Sequence, residues 1–176
     1  RIKDEFIAEV EALTMGDVTD FSNFMGALID DRAFAKNKAA IDRAKSDPTV
    51  EVLAGGTYDD STGWFVRPTV LVSTDPGNEI FREEYFGPIL SVFVYDDADY
   101  EPVLKQIDTG SAYGLTGSVI ARDRTAIAQA ERALRYAAGN FYINDKPTGA
   151  IVGQQPFGGS RASGTNDKAG SMQNLL

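Results

Sequence analysis

The sequence predicts an α/β fold with a mostly parallel sheet and helical crossovers. Three observations carry this reading. Residues 89–144 alternate strand, helix, strand, helix, strand, the rhythm that gives parallel pairing through right-handed crossovers. Two helices with an apolar face each precede that stretch. A chain of 176 residues, 43% hydrophobic with Phe 10, Tyr 7 and Trp 1, is large enough to bury about 70% of its unfolded surface. Its length corresponds to one domain, residues 1–176.

The elements follow in order. Ile2, Phe6, Val10 and Leu13 recur at helical spacing, predicting a helix over residues 2–13 that Met15-Gly16-Asp17 breaks. A second helix is predicted over 31–46, with Asp31 as its N-cap, with Phe34, Lys38 (by its stem) and Ile41 on one face, and with Asp47-Pro48 as its stop. Val50 to Leu53 alternates like a strand and meets Gly55-Gly56. Trp64 to Val72 is another strand, where Pro68 requires an edge or an interruption because it has no N–H to donate. An irregular stretch around Asp75-Pro76-Gly77-Asn78 leads into Glu83-Glu84-Tyr85-Phe86-Gly87-Pro88. Ile89 to Tyr95 is a β-branched and aromatic strand. Residues 98–108 form a helix with a Glu101/Lys105 pair at i, i+4. Gly117 to Ala121 is a short strand. Residues 123–137 form a helix with Ile127, Ala130, Leu134 and Ala137 on one face, and Asn140 to Asn144 is the last strand. From Asp145 to Gly170 the periodicity fades and Gly, Ser, Pro and Thr accumulate. A long irregular segment beyond a parallel strand is where open sheets bind ligands.

Composition narrows the chemistry. Cys 0 and His 0 exclude a thiolate nucleophile, an imidazole base, a disulfide and a Cys/His zinc site within this chain. A net charge of -9 disfavours nucleic acid and anionic membrane as partners and favours solubility. No apolar run approaches the roughly 18 residues that a membrane span needs, and no secretory signal layout opens the chain. Absence of cysteine fits a reducing cytoplasm. The chain opens Arg1-Ile2-Lys3 and closes Asn174-Leu175-Leu176, and both ends are expected to lie inside a longer protein.

Local motifs leave alternatives open. Gly159 to Thr165 has the glycine spacing of a phosphate loop but lacks the lysine and the strand-to-helix setting. Gly149 and Gly153 have GxxxG spacing, which carries little meaning outside an apolar span of roughly 20 residues. Asp96/Asp97 reads as a solvated turn. Glu83/Glu84 reads either as a solvated turn or as a carboxylate accepting two ribose hydroxyls, with Phe86 packing on a flat heterocycle. Lys146-Pro147-Thr148-Gly149-Ala150 is either an ordinary turn or a run of backbone N–H groups forming an anion-binding concavity.

Taken together, the motifs resemble a known family. Glu83-Glu84-Tyr85-Phe86-Gly87-Pro88 resembles the E-E-x-F-G-P motif of the aldehyde dehydrogenase superfamily. Pro156-Phe157-Gly158-Gly159-Ser160-Arg161-Ala162-Ser163-Gly164 resembles its P-F-G-G-x-K-x-S-G motif, with Arg161 where lysine is commoner. Gly139 to Lys146, Thr148-Gly149, Val152 to Gly159 and Arg161 to Lys168 resemble the branch that oxidises glutamate γ-semialdehyde in proline degradation. The resemblance implies a catalytic-domain fold, NAD as cofactor, and a homo-oligomeric parent in the cytoplasm or, in a eukaryote, the mitochondrial matrix. It implies that Glu84 holds the ribose of the nicotinamide half of NAD and that Phe86 packs beside it. It further implies that Gly149 and Ala150 offer backbone N–H groups to the substrate α-carboxylate and that Phe157 packs on the substrate's aliphatic stem. Some members have serine where Ala150 stands, which adds only a hydroxyl contact.

In that family a cysteine thiolate attacks the aldehyde, hydride leaves to NAD, and water hydrolyses the thioester. This chain has no cysteine, so no catalytic residue is assigned within it. It is expected to lack the nucleophile segment and a complete dinucleotide-binding domain, and to be inactive alone. The other readings are a non-catalytic binding module of the same fold, a bifunctional proline-oxidising enzyme, and a dehydrogenase for another aldehyde such as succinate semialdehyde.

Overall fold

A computed structural model of the chain describes residues 2–151, 154–155, 157–165 and 172–175. It divides into two compact units, Arg1–Val94 and Tyr95–Leu176.

The first unit begins with α1 (Lys3–Ala12), and no residue of this helix is buried. Ile2 is 75% exposed and Phe6 37%, so the apolar face read from the sequence exists but is left open. α2 (Asp31–Ser46) buries Phe34, Asn37, Ala40, Ile41 and Ala44. Two expectations about this helix are corrected. Asp30, not Asp31, is the N-cap: its backbone is extended and its carboxylate accepts from Ala33 N at 2.7 Å, which leaves Asp31 in the first helical turn beside the positive dipole end. Lys38 does not line the buried face. It is exposed, with its ammonium 4.5 Å from the centre of the Tyr58 ring, and Asn37 takes the interior position at 0% exposure.

Five strands complete this unit: β1 (Val50–Ala54), β2 (Tyr58–Asp59), β3 (Phe65–Val66), β4 (Thr69–Ser73) and β5 (Ile89–Val92). β4 is central in a three-stranded sheet, antiparallel to β1 and parallel to β5. The stretch 64–72 is interrupted at Pro68, as its missing N–H requires: β3 pairs with β2, and β4 starts at the next residue. β5 is shorter than the Ile89–Tyr95 expectation. Beyond its end, Phe93 meets Phe81 edge-on at 5.8 Å, and Val94 is 75% exposed. The core lies between α2 and the sheet, with Phe34, Ile41 and Val66 in one cluster and Ala44, Leu71 and Ile80 in another.

The second unit contains α3 (Tyr100–Gly110), β6 (Tyr113–Gly114), β7 (Thr116–Val119), α4 (Arg124–Ala133), β8 (Asn140–Ile143) and β9 (Ser160–Arg161). Asp123 caps α4 by accepting from Thr125 N at 2.8 Å. β7 and β8 are parallel and joined through α4, the predicted crossover. Leu104 of α3 packs with Ala130 and Leu134, and Phe141 of β8 adds to that cluster. β6 and β9 form a separate antiparallel pair. Parallel pairing is present as β4/β5 and β7/β8, but β1/β4, β2/β3 and β6/β9 are antiparallel. Among the described residues the pairing is therefore mixed, and the expectation of a mostly parallel sheet is corrected: the short strands pair with partners that the local rhythm does not encode.

Candidate functional site

The acidic and aromatic loop 83–88 lies between a 3-10 turn (Glu79–Phe81) and β5. Tyr85 turns inward and is 7% exposed. Its hydroxyl donates to Glu79 Oε1 at 3.1 Å, and the same oxygen accepts from Arg43 Nε of α2 at 2.9 Å. Burial pushes the Tyr85 phenol up to about 12, with the Glu79 charge adding to the rise and Arg43 opposing it. The folded protein thus keeps this proton at a pH where the unfolded chain, with an ordinary value near 10, has lost it. The stability contributed is whole below about pH 10 and is lost as pH rises through about 12. Tyr85→Phe is expected to flatten the fall in urea midpoint between about pH 10 and 12. A fall of equal depth in both proteins would rule the phenol out as the cause.

Glu84 and Phe86 point the other way. Glu84 is exposed, and its backbone carbonyl accepts from Lys36 Nζ of α2. Phe86 is 82% exposed, at φ 56 in the left-handed region that non-glycine residues seldom occupy. Asn37 Nδ2 donates to the carbonyl of Tyr85 at 3.3 Å, and Thr69 N donates to Pro88 O at 2.8 Å. A carboxylate and an aromatic ring are thereby presented to solvent from a loop whose backbone is held on both sides.

In the second unit the predicted anchor follows β8. Asn144 turns the chain at φ 53; its N–H donates to Val119 O at 2.8 Å, and its Oδ1 accepts from Ala121 N at 2.9 Å. Ser118 Oγ donates to Asp145 O at 2.9 Å. These bonds fix the start of the irregular segment at the carboxyl ends of the parallel pair, where open sheets bind ligands. Gly149 is exposed with φ +105, and Ala150 beside it is partly buried. Lys146 closes the loop from the other side: a Cβ built on Gly149 would lie 3.1 Å from its Nζ. Phe157 is half-buried in a separate segment strapped to β8 through Gly158 N donating to Asn140 Oδ1 at 3.1 Å. The structure therefore groups Glu84 with Phe86 in the first unit and places Gly149, Ala150 and Phe157 in the second. Val152, Gly153, Pro156 and Asn166 to Gly170 lie outside the described residues.

Arg161 has a different role from a phosphate ligand. At φ 56 in β9, its guanidinium binds Asp108 Oδ1 at 2.5 Å and also reaches the carbonyls of Asp108 and Ser111 at the end of α3. Ser160 and Arg161 pair with β6 as a strand rather than wrapping as part of a phosphate loop. A cavity of about 610 Å³ in this unit is lined by Tyr95, Asp97, Tyr100, Leu104, Ile107 and Ile120 among others; Asp97 of the acidic pair borders it, while Gly149, Ala150 and Phe157 do not. Among the described residues no helix is long and apolar enough to cross a membrane, and no group of three or more His, Cys, Asp or Glu could hold a metal ion. Lys36, Asn37, Ser118 and Asn144 were missed from the sequence. Only Asn144 carried a local signal, as an asparagine directly after a strand, where it tolerates the left-handed turn.

Comparison with known proteins decides the family. The profile of the aldehyde dehydrogenase family matches residues 1–175. The chain belongs to the aldehyde dehydrogenase family. Its relatives within this family include the mitochondrial Δ1-pyrroline-5-carboxylate dehydrogenase of Dictyostelium discoideum, 52% identical over 176 residues that make up 100% of this chain and 32% of the relative. The crystal structure of the Δ-pyrroline-5-carboxylate dehydrogenase from Mycobacterium tuberculosis is 61% identical, with a TM-score of 0.88 over 99% of this chain and 31% of that one. The same enzyme bound with NAD gives 62% identity and a TM-score of 0.87 over 98% of this chain and 31% of that one. This aldehyde dehydrogenase family chain thus has the α/β fold of those enzymes and spans about a third of their length.

Proposed function

We propose that this chain is the nucleophile-lacking part of the catalytic domain of an NAD-dependent Δ1-pyrroline-5-carboxylate dehydrogenase, oxidising L-glutamate γ-semialdehyde to L-glutamate. The observation that supports it most is the 61% identity over 99% of the chain to an enzyme of that name. Residues 1–176 then belong to one catalytic domain, within a soluble homo-oligomer of the cytoplasm or, in a eukaryote, the mitochondrial matrix.

The local chemistry fits NAD. Glu84 and Phe86 are exposed side by side on a held loop; the carboxylate would accept the ribose hydroxyls, and the ring would pack beside the nicotinamide–ribose unit. When bound, NAD supplies the hydride acceptor. The chain's own task at the other end is orientation. Backbone N–H groups of Gly149 and Ala150 would take the substrate α-carboxylate in charge-assisted bonds. Phe157 would pack on its aliphatic stem, so that the aldehyde is placed by distance. With Cys 0, the thiolate must come from outside these residues.

A chimera tests this, with residues 2–175 replacing the matching third of the Mycobacterium tuberculosis enzyme. It is expected to reduce NAD with glutamate semialdehyde at a higher kcat/KM than with succinate semialdehyde, while the chain alone shows no turnover. Preference for succinate semialdehyde would reassign the substrate, and an inactive, folded chimera would favour a non-catalytic binding module.

A further inference from the structure

Near neighbours hold the ends of the loop that presents Glu84 and Phe86, Glu83 N donating to Glu79 O at 2.9 Å and Ile89 N to Gly87 O at 2.8 Å, but the carbonyls at its centre are held from elsewhere. Its backbone is gripped by two consecutive residues of α2. Lys36 Nζ donates to the carbonyl of Glu84, and Asn37 Nδ2 donates to the carbonyl of Tyr85 at 3.3 Å while also bonding Ala33 O at 2.9 Å. The two gripped carbonyls directly precede Phe86, the residue at φ 56. A left-handed bulky residue persists only where its surroundings over-determine it, and these two bonds supply that constraint from one side. Close approach to Asn37 adds to it. A Cβ on Gly87 would come within 2.1 Å of Asn37 Oδ1, so the loop runs against the Asn37 amide itself. Asn37 is 0% exposed, and its Oδ1 has no hydrogen-bond partner. An orphaned buried acceptor is a cost that an apolar side chain would avoid. What the amide gains in return lies at its donor end, which bonds both Ala33 O and Tyr85 O.

We propose that Lys36 and Asn37 are positioning residues for the cofactor, acting through the backbone of loop 83–88 to fix where the Glu84 carboxylate and the Phe86 ring stand. This rests on the reading of Glu84 and Phe86 as NAD contacts. Lys36 is exposed on the helix surface, so its replacement leaves the core intact. Asn37→Leu keeps the volume and removes both the grip and the orphaned oxygen.

The test uses the chimera described above, with Lys36→Met, Lys36→Arg and Asn37→Leu. Lys36→Met and Asn37→Leu are expected to raise KM for NAD about 10-fold, the scale of one lost charge-assisted or buried hydrogen bond. KM for glutamate semialdehyde should hold within about twofold, and Lys36→Arg should restore the NAD value. Hydrogen exchange gives a second readout that needs no turnover: the Glu83 and Ile89 amides, which bond Glu79 O and Gly87 O at the two ends of the loop, should lose protection in both variants while those of β1 keep it. Unchanged protection of the Glu83 and Ile89 amides overturns the proposal. So does an equal rise of both KM values. Lost protection in a chimera that does not use NAD would leave the grip standing and overturn the assignment of the loop to NAD instead.

Discussion

Gly149→Pro is expected to raise KM for glutamate semialdehyde about 10- to 100-fold in the active chimera, with KM for NAD unchanged. Two effects add. The residue sits at φ +105, and proline is locked near -65°, so the 149–150 backbone must turn away from its present direction. Proline also deletes the N–H that Gly149 would offer to the substrate carboxylate. A hydrogen bond to a charged group contributes about 1.5–3 kcal/mol, and each 1.4 kcal/mol is about a decade in affinity. Because Gly149 is exposed, little of the fold depends on it, which keeps the effect in binding. Ala150→Ser is the matched control. It leaves both N–H groups in place and should change KM by less than about twofold. Steady-state kinetics with both substrates decide the matter, and an unchanged KM in the proline variant removes the anchoring role.

Leu71→Ala is expected to cost about 2–5 kcal/mol of stability, the range for emptying a close-packed site. Leu71 is 0% exposed on the central strand β4. It packs with Ala44 of α2 and Ile80, and Val50, Val52, Phe81 and Ile89 crowd the same cluster. Neighbours on a helix, two flanking strands and a 3-10 turn leave little freedom to collapse into the space. The loss should appear as a lower urea midpoint with an unchanged slope. A cost under about 1 kcal/mol would show that the site closes over the cavity, contrary to the packing seen here.

Much of the fold was legible because it is written locally. The apolar spacing in 31–46 and 123–137 located α2 and α4, and the strand–helix rhythm located the β7–α4–β8 crossover. Pro68 marked the break between β3 and β4. What escaped depends on partners distant in sequence. Asp30 and Asp31 are equally good caps as letters, and only the backbone at Asp30 decides between them. Asn37 is buried because it meets a carbonyl 48 residues away, whereas helical spacing from Phe34 to Ile41 put the Lys38 stem on that face. β1 runs antiparallel to β4, a pairing that no local rhythm encodes. The candidate site divides the same way. Glu84, Phe86, Gly149, Ala150 and Phe157 stood out through motifs, while Lys36 and Ser118, which orient their backbones, carry no motif, and Asn144 stood inside the Gly139–Lys146 run without a role of its own.

The left-handed residues have an evolutionary consequence. Phe86, Asn144 and Arg161 each occupy backbone geometry that glycine would adopt at lower cost. Relief of that backbone cost alone would drift each position towards glycine. Selection for turnover would resist at Phe86, whose ring is what the loop displays. At Arg161 the resistance would come from the guanidinium that ties β9 to α3. A library screened under both pressures should therefore separate the three: glycine excluded at Phe86 by turnover, excluded at Arg161 by heat, and of least benefit at Asn144, which tolerates the left-handed region and whose Oδ1 accepts from Ala121 N.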